Sequence, residues 1–250
     1  MRTNGTSSIA ETPARGRGSR IALLLGIVAF MPHALHSGGR DFTVLVKGNL
    51  TTSSQIFLNP DAADIITRQQ SLALTDFFGV GVEVKYHISE TNIAVGISAD
   101  YIRARASTSL PVYPRQEIPV EDGYTVIPVE MTGYFIIPLS GETFGVFMGG
   151  GGGLYFGKRT YLLGETEAPL LDSTPGFGIH VLGGVSYRIF GGVEAVFEMK
   201  FRDLQFESRN SFKESSIHYN NLVVNVSKQP FKSRTQTDGI VFQLGIAYSF

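Results

Sequence analysis

The sequence predicts an all-β fold, and within that class an eight-stranded, antiparallel, up-and-down transmembrane β-barrel. The first observation is a period of two, in which apolar side chains occupy every second position over eight segments of the chain. The second is a regular alternation of long and short connections between these segments. The third is that one face of every segment carries no charge in its middle part, although 17% of the chain is charged. Such a face can point to lipid only if the sheet closes on itself.

The first 40 residues differ from the rest of the chain and predict a cleaved signal peptide. Four arginines, the last of them Arg20, precede an apolar stretch from Ile21 to Met31, and a small and polar run follows. This order is typical of export signals. The apolar stretch is shorter than the roughly 20 residues of a transmembrane helix, so a retained anchor is the weaker interpretation. We expect removal of residues 1–37, with the boundary between 34 and 39, and a barrel domain over residues 38–250.

Segments with the period of two supply the predicted strands. In the first of them, Phe42, Val44 and Val46 alternate with Thr43 and Lys47. A tilted membrane strand needs about nine to 11 residues, whereas strands average about five or six in soluble proteins. All eight segments have the greater length. They are residues 41–50, 78–88, 93–101, 127–137, 144–156, 177–189, 193–202 and 239–250.

The connections between these segments alternate in length. Transmembrane barrels have short periplasmic turns and long extracellular loops. We therefore expect the long connections outside the cell, where an extracellular ligand would bind. In the last of them, Leu222–Val226 alternates again and predicts a hairpin above the membrane whose edge could take up an extended ligand. The long connections are 51–74, 106–122, 158–174 and 208–238, and the short ones are 89–92, 139–142 and 190–192.

The charged face of the segments predicts the content of the barrel interior. If the uncharged face meets lipid, the charged face points inward. An eight-stranded barrel is just wide enough for side chains to fill it, and buried charges need partners. We therefore expect a structural plug of ion pairs, with a narrow polar path as the alternative. The interior charges are Lys47, Glu83, Lys85, Asp100, Glu130, Arg188, Glu194, Glu198, Lys200 and Arg202.

The chain ends in IVFQLGIAYSF, with Phe242, Leu244, Ile246, Tyr248 and Phe250 at every second position. This ending resembles the C-terminal signal by which bacterial outer-membrane barrels are recognised for assembly. The mature chain as a whole resembles the small eight-stranded barrels of the OmpX, OmpA and OmpW type. The resemblance implies residence in the bacterial outer membrane, contact with outer-membrane lipid and passage through the barrel-assembly machinery. A secreted lipocalin-like barrel, apolar inside, fits the composition but neither this ending nor the loop lengths.

Composition excludes several classes of function. The chain has no Cys, which removes disulfides, thiolate nucleophiles and Cys-ligated metal sites. A formal net charge of -1 lacks the basic excess of nucleic-acid-binding proteins. Gly152–Arg159 approaches the phosphate-binding loop pattern, but Arg159 stands where Ser or Thr would bind magnesium. We therefore expect no cofactor and no nucleic acid, and because no periplasmic domain follows Phe250 we expect no cell-wall tether.

The histidines of the predicted barrel domain are His87, His180 and His218, and their spacing predicts no metal site. Some barrels of the resembled kind are hydrolases that use His with Ser or Asp. Here the position two after His218 is Asn220 rather than Ser. We expect a non-enzymatic monomer with a structural or surface-interaction role. The alternatives are a transport barrel for small solutes or hydrophobic molecules, against which the charged interior counts, and a membrane-embedded hydrolase.

Overall fold

The computed structural model describes residues 41–112, 116–138, 143–220 and 222–250. The predicted signal peptide, residues 1–37, lies outside the described residues, and its removal stays a prediction. Among the described residues, no helix is long and apolar enough to cross a membrane.

Strands form most of the described chain. A short helix, α1 (Ile65–Arg68), lies after the first strand, and its N-cap Asp64 accepts a hydrogen bond from the Thr67 amide. The strands are β1 (Phe42–Phe57), β2 (Ser71–His87), β3 (Ile93–Val112), β4 (Gln116–Ile136), β5 (Phe144–Leu163), β6 (Thr166–Glu167), β7 (Leu170–Thr174), β8 (Gly176–Phe190), β9 (Val193–Arg202), β10 (Leu204–Asn210), β11 (Ser216–Tyr219), β12 (Leu222–Asn225), β13 (Phe231–Thr237) and β14 (Ile240–Ser249).

A closed ring of eight strands confirms the predicted fold class. Its order is β1, β2, β3, β4, β5, β8, β9 and β14, with antiparallel pairing throughout. The ring closes where β14 pairs with β1, from Thr43–Ser249 to Thr51–Val241. Both chain ends of this ring and the short connections lie at one end, which is the periplasmic end of a membrane barrel. The long connections lie at the other end.

The boundaries of the long connections differ from the predicted ones, because the strands continue far into them. β3 and β4 stay paired from Ile93–Phe135 to Val112–Gln116, so the predicted loop 106–122 is mostly a two-stranded arm. The predicted loop 51–74 likewise contains the ends of β1 and β2. In the predicted loop 208–238, β13 pairs with β10 and continues the wall of the barrel.

The strands reverse their polarity where they leave the ring. Along β3 the outward residues change from Tyr101 to Arg103, while the inward residues change from Asp100 to Ile102. An arm in water must bury apolar side chains and expose polar ones, the opposite of a strand in lipid. Two buried apolar clusters fill the extracellular half. They contain Ile56, Leu74, Phe77, Ile102, Ala104, Tyr124, Val126, Tyr155, Leu204 and Phe206, and then Ile118, Val120, Leu163, Ala168, Phe212 and Ile217.

The predicted hairpin is present as β11 and β12, paired from Ser216–Asn225 to Tyr219–Leu222. It does not stand free of the barrel. Ile217 is 2% exposed and belongs to the second apolar cluster, against which Tyr219, Leu222 and Val224 also pack. The hairpin therefore covers the extracellular end of the apolar core.

The outer wall of the ring carries a continuous belt of exposed apolar side chains. Phe78, Ile179 and Leu244 expose 73%, 62% and 67% of their surface. Soluble monomers rarely expose contiguous apolar patches larger than a few hundred Å², and this belt follows all the strands of the ring. Its members include Val46, Val80, Val82, Val84, Ile97, Tyr101, Ile127, Met131, Leu154, Phe156, Phe177, Val181, Phe201 and Ile246. Lipid is the solvent that fits such a wall.

Candidate functional site

The interior of the barrel is layered, and the inward side chains of β4 pass through every layer. Tyr134 belongs to an apolar layer near the periplasmic end, together with Leu45, Ala94, Phe147, Leu182, Val196 and Ala247. Glu130 belongs to a charged layer in the middle. Tyr124 and Val126 belong to the first extracellular apolar cluster, and Val120 to the second. The charged layer thus lies between apolar layers.

One half of the charged layer is centred on Glu198 of β9. Its carboxylate oxygens accept hydrogen bonds from Lys47 at 3.3 Å and from Lys85 at 3.0 Å. Lys47 also donates to Glu83 at 2.8 Å and to the Gln243 amide oxygen at 3.3 Å. Because these residues come from β1, β2, β9 and β14, the ion pairs cross the seam at which the ring closes.

The other half is centred on Glu130 of β4. Its carboxylate lies 2.8 Å from the Lys200 ammonium and 3.3 Å from the Arg202 guanidinium. Arg202 also donates to Asp100 at 2.9 Å. The side chains of Glu130, Lys200 and Arg202 are 0% exposed. The charges are therefore compensated by each other rather than by solvent.

Two predicted interior charges lie outside this layer, and this corrects the prediction. Arg188 and Glu194 lie at the periplasmic rim, where they face each other across the β8–β9 turn at 3.6 Å. Their side chains are 44% and 22% exposed. They have inward register, but they sit at strand ends and meet water. Lys200 and Arg202 pair with Glu130 and Asp100, not with Glu194.

Several uncharged side chains complete the layer, and the sequence analysis missed their role. The Tyr134 hydroxyl donates to Glu83, and Tyr155 donates to Glu130 at 3.3 Å. The His180 imidazole lies 2.8 Å from the Thr132 hydroxyl. A count of charges on the inward face could not find them. The available signal was a polar residue at a neighbouring inward position of the same strand, such as Thr132 beside Glu130.

A second buried ion pair lies in the extracellular half. Asp122 accepts a hydrogen bond from the Arg159 guanidinium at 2.8 Å, between the two apolar clusters. The guanidinium also lies over the Tyr161 ring. The residue that stands in the hydroxyl position of the phosphate-loop pattern thus has a structural contact inside the wall.

Small residues on the inward face make room for the charged side chains. A methyl group on Gly81 would overlap the Asp100 carboxylate, and one on Gly153 would lie 2.8 Å from the Glu130 side chain. One on Gly96 would lie 2.6 Å from Glu83. The glycines of this face therefore determine where the carboxylates can sit.

Replacing Gly81 with alanine is expected to lower the free energy of unfolding by about 1 to 3 kcal/mol, because overpacking displaces Asp100 from Arg202. Gly48→Ala is the matched control, since its added methyl group points outward and meets nothing nearer than the Leu244 carbonyl at 3.9 Å. Urea titration of the folded barrel in detergent, followed by gel mobility, measures both. Equal transition midpoints would contradict the packing described here.

A cavity of about 470 Å³ opens at the periplasmic end. Its lining includes Thr43, Lys85, His87, Phe147 and Arg188. The Lys85 ammonium lies 4.1 Å from the centre of the Tyr134 ring at the inner side of this cavity. The cavity thus ends at the charged layer.

The three histidines of the described residues lie far apart in the fold. His87 is at the periplasmic rim, with its imidazole 2.9 Å from the Thr43 hydroxyl, and His180 is in the charged layer. His218 is exposed on β11. The described residues hold no group of three or more His, Asp or Glu side chains that could bind a metal ion.

The predicted assembly signal lies on β14 and just after it, on the lipid-facing wall. Leu244, Ile246 and Tyr248 are exposed, and the Phe250 amide donates to the Phe42 carbonyl at 2.9 Å. Phe250 thus ends the outward row at the periplasmic end of the ring. Recognition by an assembly machinery stays a prediction.

Comparison with known proteins finds similarity in fold rather than in sequence. No family model and no curated protein matches the sequence. Among solved structures, the outer-membrane protein OprG of Pseudomonas aeruginosa matches with a TM-score of 0.50 and 15% identity, over 84% of this chain and 95% of OprG. The fold is that of the small bacterial outer-membrane barrels.

Two further solved barrels are similar over most of their length. Neisserial surface protein A aligns with a TM-score of 0.44 and 12% identity, over 84% of this chain and 97% of its own. AlkL, studied in DMPC bilayers, aligns with a TM-score of 0.45 and 14% identity, over 88% and 95%. The lipid-facing belt and the fold shared with OprG make the chain an outer-membrane barrel.

Proposed function

We propose that this outer-membrane barrel is a non-enzymatic monomer with a closed interior, and that its role is structural or lies in contacts at its extracellular surface. The observation that carries the proposal is the layering of the interior. The ammonium, guanidinium and carboxylate groups of the charged layer pair with each other, and apolar clusters lie on both sides of the layer. On the periplasmic side the cavity reaches Lys85 past the apolar cluster.

The apolar layer above the charges opposes the passage of ions. The Tyr124 ring packs edge-on against Phe77 and Phe206, with ring centres 5.8 Å apart in both pairs. Tyr124 and Phe206 are each 1% exposed. An ion on this route would lose its water shell among these rings, where the Tyr124 hydroxyl is already hydrogen-bonded to Thr237. Such desolvation costs several kcal/mol even after relaxation.

The extracellular half supports a role in surface contacts. The paired arms rest on a buried core, so they present their outward polar residues on a rigid support, as binding surfaces commonly do. The arm of β3 and β4 stays paired beyond the last membrane-facing residues, from Arg103–Thr125 as far as Val112–Gln116.

A transport barrel is the second candidate, and the periplasmic cavity favours it. The cavity already occupies part of the route, so a shift of Lys85 and Phe147 at its inner end would lengthen the open path. The charged layer would still have to separate its ion pairs.

Recording from the purified, folded protein in a planar bilayer at moderate salt tests the proposal. A closed interior is expected to give no steady conductance. A Gly-to-Ala control at Gly48, on the lipid-facing wall, should behave in the same way. A large and stable conductance of the unaltered protein would contradict the closed interior and favour transport.

A further inference from the structure

Charges directly above the apolar belt are distributed unevenly around the barrel. On β3 and β5 the first outward residue above the belt is a cation, Arg103 or Lys158. At the corresponding level elsewhere on the ring, exposed carboxylates stand on β2, directly after β9 and shortly before β14: Asp76, Asp203 and Asp238. One side of the barrel is therefore basic at the height where lipid headgroups begin.

Strand register places the two cations in one row. Arg103 pairs with Thr125 of β4, and Thr125 pairs with Lys158 of β5. With strands roughly 4.8 Å apart, the two Cα atoms are about 10 Å from each other, and the Thr125 hydroxyl lies between them. Long side chains can converge across that distance on one anionic group.

The row directly below is apolar and faces lipid. It consists of Tyr101, Ile127 and Phe156, which are 46%, 43% and 47% exposed. The two rows together offer cations and a hydroxyl above an apolar surface. A lipid with an anionic headgroup above its acyl chains matches both rows, because its headgroup would meet the cations and its acyl chains the apolar side chains.

Arg103 and Lys158 also differ from four other cations on the extracellular strands. Those cations have carboxylate partners, in the pairs Arg105–Glu121, Arg209–Asp172, Lys232–Glu207 and Arg234–Glu207. The hydrogen bond from Arg209 lowers the pKa of Asp172 below its usual value. Arg103 and Lys158 form no ion pair with any residue that the structure describes. Their charges are available to a ligand.

We propose that Arg103, Thr125 and Lys158 bind a phosphate group of an acylated glycolipid in the outer leaflet of the membrane. The guanidinium and the ammonium would form charge-assisted hydrogen bonds to the phosphate oxygens, and the Thr125 hydroxyl would add a neutral donor. The acyl chains would lie on Tyr101, Ile127 and Phe156. The site is on the outer wall, so it does not depend on whether the interior conducts.

Native mass spectrometry of the folded protein in neutral detergent, titrated with bisphosphorylated lipid A, tests the site. The double variant Arg103→Ala/Lys158→Ala is expected to bind at least tenfold more weakly than the unaltered protein. The control Lys213→Ala/Lys228→Ala removes two exposed cations elsewhere on the extracellular side and should leave binding unchanged. Gel mobility verifies that each variant is folded.

Two further ligands identify the group that is bound. Lipid A without phosphates should bind the unaltered protein as weakly as phosphorylated lipid A binds the double variant. Phosphatidylglycerol should also bind more weakly than bisphosphorylated lipid A. Equal affinities of the unaltered protein and the double variant for lipid A would overturn the site. Equal affinity for the dephosphorylated lipid would overturn the phosphate contact, and equal affinity for phosphatidylglycerol would overturn the assignment to a glycolipid.

Discussion

Replacing Glu130 with glutamine is expected to lower the free energy of unfolding by about 3 to 5 kcal/mol, the usual effect of removing one partner from a buried ion pair. Glu130 is the shared partner of Lys200 and Arg202, and all three side chains are inaccessible to solvent. The glutamine keeps the size of the side chain, so the loss reports charge rather than a cavity. Asp100 still compensates Arg202, whereas Lys200 loses its direct partner.

Glu194→Gln is the matched control for this experiment, because it alters a carboxylate of the same inward register at the rim. Its pair with Arg188 is partly exposed, and such pairs contribute about 0 to 1 kcal/mol. Equilibrium unfolding in urea, with the folded fraction read from gel mobility, compares the two variants. If both lost the same small amount, the middle layer would have to be hydrated and its charges solvated.

Replacing Val82 with arginine is expected to lower the free energy of unfolding by about 2 to 4 kcal/mol, because it places a cation near the middle of the lipid-facing wall. Val82 is 48% exposed and lies midway along the apolar part of β2. Folding into phosphatidylcholine vesicles at increasing urea concentration measures the change.

Ser107→Arg adds the same side chain to an outward position of β3 in the extracellular half, and we expect a change within about 0.5 kcal/mol. Glu83, the neighbour of Val82, would be a poor control because it is buried against Lys47. A larger loss for Ser107→Arg than for Val82→Arg would show that the belt does not face lipid.

The ring could be predicted from the sequence because lipid imposes one rule on every strand that crosses it. Residues such as Val82 and Glu83 must lie on opposite faces, and the period of two records this directly. The extracellular arms escaped prediction because the rule reverses inside single strands. Arg103 and Arg105 alternate with alanines, which without the structure resembles a polar loop.

The charged layer could be predicted only as a set of inward residues. Alternation assigns a face but gives no height along the barrel, so Arg188 and Glu194 could not be distinguished from Glu198 and Lys200. The ion-pair partners of these charges could not be predicted from the sequence either. Lys47 and Glu198, for example, come from β1 and β9, which are separated in the ring by β14. Such contacts depend on the stagger of neighbouring strands.

The change of polarity within single strands also protects the register of the sheet. β3 and β4 keep one register from the periplasmic end to the extracellular tip. A slip of one residue turns every side chain of a strand to the opposite face. In this chain it would carry Asp100 into lipid and, on the same strand, Ile102 into water. A misaligned strand thus loses free energy both in lipid and in water. The extracellular arms therefore help to fix the register of the part of the barrel that the membrane encloses.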